Sequence, residues 1–345
     1  MTSPTPAHPT DPAAPQHAAQ HRSTWRAVLR RSLHEVKRDE LPDRAAALTF
    51  YGVLSIFPAA LVLVALLGIV EPGAAGRFVD SIRGAAPGDV AQFVDDVVTQ
   101  VQGNIGASGA IAVIGLLVAL WSASRYVAAF TRVSNAVYSV PEGRPLWRTL
   151  ALRMGVTVAV VVLLVVCAVI VIVTGPIADT VGRMIGLGDG LRWVWNIAKW
   201  PVLVVVVALL FSLLFGATPN VKYGRFRLLT AGGLVAVVLW LVFSGLFALY
   251  LAFSGSYSRV YGPVSTVIVF LVWLWISNIA MLLGLEFDSE RERERVVQAG
   301  APPRLEPYVH VRDHRSMDDD ERRRVEAAEV LIPVPEEVTD RARVD

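Results

Sequence analysis

Six stretches of this chain contain no Asp, Glu, Lys or Arg: 45–70, 97–124, 154–178, 200–221, 228–258 and 260–285. Each is at least 22 residues long. A helix rises about 1.5 Å per residue, so about 20 residues cross a hydrocarbon core near 30 Å thick. All six are long enough to span. Runs such as 156–173 do not alternate apolar and polar side chains, which argues against the strands of an outer-membrane barrel. Backbone groups in lipid must be satisfied within their own segment, which again selects helices. Trimmed to their apolar cores, the helices are expected near 45–70, 109–129, 153–174, 197–216, 229–253 and 262–287. The fold class that follows is all-α, a six-transmembrane-helix bundle carrying amphipathic surface helices. Composition agrees: 54% of residues are hydrophobic and only 18% charged, against about 25% charged in soluble proteins. A water-soluble enzyme and a wholly disordered chain are both poor fits.

Orientation follows from the basic residues between the runs. The N-terminal arm holds seven Lys and Arg, and the second and fourth connections five and three. The first, third and fifth hold only two, three and one. This places both termini in the cytoplasm of a cell bounded by a cytoplasmic (inner) membrane. Residues 1–22 lack the short apolar core of a cleavable leader, so the first spanning helix is expected to direct its own insertion.

Four regions are expected. Residues 1–22 read as a disordered arm and 23–43 as a basic amphipathic helix. Residues 44–288 form the six-helix membrane domain, and 289–345 a charged cytoplasmic tail. The basic helix either lies on the anionic leaflet or serves only as a topology signal. Pro42 is expected to break the chain, with Asp43 capping the first spanning helix. Between Pro87 and Gly103, apolar residues recur at helical spacing, giving an amphipathic helix that either packs on the bundle or covers its mouth. Residues 177–191 repeat the pattern more briefly. In the tail, Asp318 to Glu321 followed by Arg322 to Arg324 reads as a solvated helix start or a flexible segment.

Catalytic machinery is hard to find. All six His lie outside the spanning runs, and no phosphate loop, paired Cys or nucleophile elbow appears. The single Cys167 reads as a small apolar filler. No enzyme activity, cofactor, metal or nucleic-acid partner is expected. Ionisable groups in a membrane are costly and therefore informative. Arg44 and Glu286, at the ends of the first and last runs, act as interfacial anchors or as a gate. The mid-membrane polar set is uncharged: Thr49, Tyr51, Ser55, Ser122, Ser124, Ser244, Ser277 and Asn278. Pro58, one turn after Ser55, removes a backbone hydrogen bond and can kink its helix. Such an interior suits an amphipathic substrate better than an ion couple.

Arg44-Ala-Ala-Ala-Leu-Thr-Phe-Tyr51 and Leu54-Ser-Ile-Phe-Pro58 resemble the first-helix signature of the YihY/BrkB family, formerly called ribonuclease BN. The likeness continues through Trp121-Ser-Ala-Ser124, Asn135-Ala-Val-Tyr138 and Thr218-Pro219-Asn220-Val221. It includes Trp240 and Tyr250, then Val260-Tyr261-Gly262-Pro263, Trp273-Leu-Trp275 and Gly284-Leu285-Glu286. Phe215-Gly216 and Phe287-Asp288 depart from the family pattern. The resemblance implies a six-helix inner-membrane protein supporting envelope integrity, with some members tied to lipid transport. A transporter or flippase-like protein for a lipid or other amphipath is the first reading. A non-transporting scaffold that binds partners through its cytoplasmic tails is the alternative, and envelope proteins or a second copy of the chain are the further partners expected. The substrate pathway or gate is expected among Arg44, Thr49, Tyr51, Ser55, Pro58, Trp121, Ser122, Asn135, Tyr138, Pro219, Asn220, Tyr250, Tyr261, Gly262, Trp273 and Glu286, with membrane lipids as the partner. A metal-dependent nuclease would need clustered His and Asp ligands, which the runs lack.

Overall fold

The computed structural model describes residues 40–70, 109–172, 189–222, 230–253 and 264–333. The N-terminal arm, nearly all of the basic helix, the first-loop segment, most of the third-loop segment, and Tyr261 and Gly262 lie outside the described residues.

Among the described residues there are seven helices and no strand beyond a single isolated bridge. They are α1 (Leu41–Val70), α2 (Gly109–Val137), α3 (Leu146–Ile172), α4 (Asp189–Ala217), α5 (Ala231–Phe253), α6 (Val264–Gln298) and α7 (Asp319–Glu329). Among the described residues, four stretches, Leu146–Ile170, Ile197–Ala217, Ala231–Phe253 and Val267–Gln298, are long and apolar enough to cross a membrane. Helix α1 contains the first charge-free run and α2 much of the second. The helices overrun the apolar cores: α2 continues eight residues past 129, and α6 eleven past 287. Hydrophobicity delimits what sits in lipid, whereas backbone hydrogen bonding carries a helix on until a cap stops it.

Those caps can be read residue by residue. At the end of α2, Ser139 takes φ 53°. Its N–H donates to the Ala136 carbonyl at 3.0 Å, and Val140 N–H to the Asn135 carbonyl at 2.9 Å. Helix α6 ends the same way at Gly300, φ 110°, with Gly300 N–H on Val297 and Ala301 N–H on Val296. Both are the paired turn that closes helices on a left-handed residue. Thr218-Pro219 stops α4, since proline cannot continue the ladder. At the start of α1, Leu41 and Pro42 are already helical and Asp43 lies inside the first turn, not at the cap. There its carboxylate faces the positive end of the helix dipole. Pro42 therefore opens the helix, a position where its missing N–H costs nothing.

Consecutive helices pack on one another from α1 to α6, and α6 closes the ring on α1. The α5–α6 pair is the most extensive contact. Small residues permit it: a Cβ on Gly284 would sit 2.5 Å from Ala236 Cβ, and one on Gly232 would sit 2.1 Å from the Gly284 carbonyl. Helix ends alternate, so the starts of α1, α3 and α5 share one face with the ends of α2, α4 and α6. We call this the polar face. Elsewhere the outer surface is apolar and open, as at Leu241, Leu246, Leu249 and Phe253 of α5.

The expected boundary at 288/289 falls inside α6, and the chain beyond it packs on the polar face. Tyr308, Val309, Val311, Met317 and Val325 join the same buried cluster as Leu48, Phe130, Phe215 and Leu282. Burial of one such side chain contributes roughly 1.5–3 kcal/mol. Within this segment, Asp318 caps α7 by accepting Glu321 N–H at 2.7 Å, the helix start that the acidic run announces.

Candidate functional site

Two polar assemblies stand at the polar face, one inside the helix ring and one over its end. The inner one is a column across three helices. Asn278 of α6 donates from Nδ2 to Thr49 Oγ1 at 3.0 Å and accepts from the Tyr126 hydroxyl at 2.8 Å. Thr49 in turn donates to the Ala45 carbonyl at 2.7 Å. Every member is neutral, as a low-dielectric interior demands of groups without charged partners. Six residues along α1, Ser55 is also buried, and its hydroxyl has no partner among the described residues. Helix α1 runs unbroken through Pro58, whose missing N–H leaves the Leu54 carbonyl without its helical donor. Between α5 and α6, Trp240 donates to Ser277 at 3.1 Å and Trp273 to Ser244 at 3.2 Å.

The outer assembly is a clasp that joins the 138–145 turn, the α4 terminus and the tail. Asn220 is fully buried. Its amide nitrogen donates to the carbonyls of Pro141 at 3.2 Å and Asp313 at 2.9 Å, and its side-chain oxygen accepts Asp313 N–H at 3.1 Å. Its backbone N–H donates to Asn135 Oδ1 at 2.7 Å. Asn135 then donates to Glu142, which takes two charged bonds of 2.6 Å from Arg144. Arg144 is almost wholly buried and also reaches the Thr218 carbonyl at 2.8 Å. From the tail, Arg312 donates to the Gly216, Ala217 and Val221 carbonyls, satisfying the α4 terminus and opposing its dipole. Val221 and Val311 form the antiparallel bridge. Gly143 lies against the tail so closely that a Cβ would be 2.0 Å from the Asp313 carbonyl.

Charge is balanced inside the clasp. Burial alone would lift the Glu142 carboxyl, but hydrogen bonds and the positive charge of Arg144, helped by Asn135, hold it below its ordinary range. Asp313 behaves likewise: desolvation raises it, and the Arg315 N–H and the Arg148 guanidinium, 2.8 Å away, more than reverse this. Next to them, burial pushes the Tyr308 phenol well above its usual range, with Glu286 and Glu290 adding to the effect. Tyr308 pairs with the Ser289 hydroxyl and lies 6.4 Å from the Tyr138 ring.

The structure thus divides the expected site residues. Thr49 and Ser55 lie in the interior of the ring, and Trp273 bridges α5 and α6. Asn135, Tyr138, Pro219 and Asn220 belong to the clasp, all of them buried. Glu286 is buried beneath the tail, 2% exposed, whereas Arg44 is half-buried at the start of α1. Tyr250 is exposed on the apolar surface of α5, and Ser122 is half-buried on α2. Trp121 and Tyr51 each carry an arginine over their ring, Arg153 at 4.9 Å and Arg132 at 5.5 Å. Tyr126, Arg144 and Asp313 escaped the sequence reading. Arg144 counted there only as a topology charge, and Asp313 stands 93 residues from the Asn220 it binds. Among the described residues, no three His, Cys, Asp or Glu side chains lie together as a metal site would need.

A ring of apolar helices with most of its inward polar groups paired is the architecture of a polytopic membrane protein. Residues 32–308 match the Virulence factor BrkB family, and the chain belongs to it. It is 27% identical to the "Putative ribonuclease-like protein YfkH" of Bacillus subtilis over 75% of this chain and 91% of that one. It is 27% identical to a UPF0761 membrane protein of Aromatoleum aromaticum and 29% to one of Verminephrobacter eiseniae, covering 75% and 76% of this chain. This chain spans 63% and 61% of those longer relatives. No solved structure matches it.

Proposed function

We propose that this membrane protein moves or scrambles an amphipathic lipid across the cytoplasmic membrane and thereby supports the envelope. In this reading all six charge-free runs span, both termini are cytoplasmic and the polar face fronts the cytoplasm. The observation that carries it is the uncharged column Thr49–Asn278–Tyr126, with the Ser55 hydroxyl, unpaired among the described residues, farther along α1. A lipid headgroup needs hydrogen-bonding groups on its way, but not the acid relay of an ion-coupled pump. The ribonuclease-like name of one relative has no counterpart in this polar set, and we read the chain as a non-enzyme. A scaffold acting through its tails is the second reading.

The test is scrambling of a labelled phospholipid in liposomes. Protein-containing vesicles should expose the inner-leaflet label faster than empty ones; equal rates would end the transport reading. Ser55→Ala and Pro58→Ala should slow the exchange, whereas Cys167→Ala, a half-buried thiol on α3, should not.

A further inference from the structure

Three arginines gather where α2 and α3 leave their apolar runs. Arg125 is the first charge after the run 97–124, and Arg153 the last before 154–178. By the spanning arithmetic both stand where hydrocarbon gives way to headgroups. Arg132 follows Arg125 by seven residues, two turns along the same face of α2. Arg153 is held in place: Nε donates to Ser124 Oγ at 2.6 Å, Nη2 to the Trp121 carbonyl at 3.2 Å, and its plane covers the Trp121 ring. Arg132 covers Tyr51. The charges of Arg125 and Arg132 both act on Arg153. Among the described residues, none of the three forms an ion pair with a carboxylate.

Like charges held together without a counter-ion among the described residues favour an anion from outside. Arginine is suited to phosphate, because its planar fork meets two oxygens at once. The neighbouring surface says where that phosphate comes from. Leu117 and Val118, two turns deeper on α2 than Arg125, and Phe50 beside Tyr51 are exposed by about half or more of their surface. Leu117 and Val118 lie below the charges and Phe50 level with them, together an apolar collar of the kind that acyl chains beneath a headgroup require. A soluble phosphate would gain nothing from that collar.

We propose that Arg125, Arg132 and Arg153, with the Trp121 ring, bind the phosphate of an anionic phospholipid at the edge of the polar face. The site names the headgroup class for the lipid reading above and rests on that reading for its role in transport. Its binding is measured separately.

The experiment titrates the purified full chain in detergent with fluorescent phosphatidylglycerol, with phosphatidylcholine and inorganic phosphate as competitors. The double variant Arg125→Gln/Arg132→Gln spares Arg153, which is tied into the helix contacts. At about fivefold per surface arginine, affinity should fall about thirtyfold. The charge-matched control Lys222→Gln/Arg304→Gln, both exposed elsewhere on the polar face, should bind as the parent does. An unchanged melting temperature in both variants establishes that the fold is kept. Preference for phosphatidylglycerol over phosphatidylcholine, lost in the double variant alone, supports the site. Equal binding of the two lipids, an equal loss in the control, or displacement by inorganic phosphate as effective as by lipid overturns it. Scrambling in liposomes is scored independently: binding without scrambling removes the transport reading and leaves the site. Scrambling without headgroup preference does the reverse.

Discussion

Ser139 occupies a backbone region that L-residues enter at a cost of roughly 1–2 kcal/mol, because it supplies the left-handed closing position of α2. Its side chain is exposed, so nothing is lost by removing it. Ser139→Gly should raise the melting temperature, and Ser139→Val should lower it, as followed by intrinsic fluorescence in detergent. A second residue-scale prediction concerns acid. Glu142 and Asp313 have folded-state carboxyls held below their ordinary values, so they bind protons less readily folded than unfolded. Their stabilisation is complete above the unfolded value, about 4, and is lost as pH falls through the lower folded values. The melting temperature should therefore be insensitive to these groups from pH 8 to 5 and drop below about pH 4. In Glu142→Gln, the Arg144 charge is left buried and uncompensated at every pH, so the protein should melt lower and lose much of that acid-dependent step. An acid profile identical to the parent's would refute the assignment.

At the scale of elements, the sequence told most about the helices and least about their seams. Charge-free runs located the helices because lipid excludes charges from all faces at once. Where the helices end was less legible, since a serine in a glycine position carries no compositional signal. The seam between α5 and α6 was visible only as Gly284 in a motif, without its reason. The reason is distance: the Gly284 position faces Ala236 and the Gly232 carbonyl with no room for a methyl group. Gly284→Ala must therefore push α6 from α5, straining the Asp288 carboxylate that accepts Gly232 N–H at the start of α5. It should lower the melting temperature by several degrees, whereas Gly245→Ala, which meets nothing within 4 Å, should leave it unchanged. Equal effects of the two would mean that close approach is not what holds this pair.

At the scale of the whole molecule, the site was legible in its types but not in its pairings. Asn135, Tyr138 and Asn220 were singled out only by the family resemblance, and the structure brings them together at the clasp. What they converge on is a tail that reads in isolation as solvated charge. Its buried residues beyond 308 include Val309, Val311, Asp313, Met317 and Val325, at irregular intervals and separated by polar residues, so no single periodicity announces them. They also lie beyond residue 308, where the family match ends. This makes the reach of the folded unit testable by truncation. A chain ending at Pro333 retains every contact described above and should melt and elute as the full chain does. A chain ending at Tyr308 loses Arg312 from the carbonyls of α4 and Asp313 from Asn220 and Arg148. It also removes Val311 from its bridge with Val221. Leaving such buried polar groups unmatched costs about 1–3 kcal/mol each, so this shorter chain should unfold at a markedly lower temperature or aggregate on extraction. If it behaves like the chain ending at Pro333, the tail is an appendage and the membrane domain is complete without it.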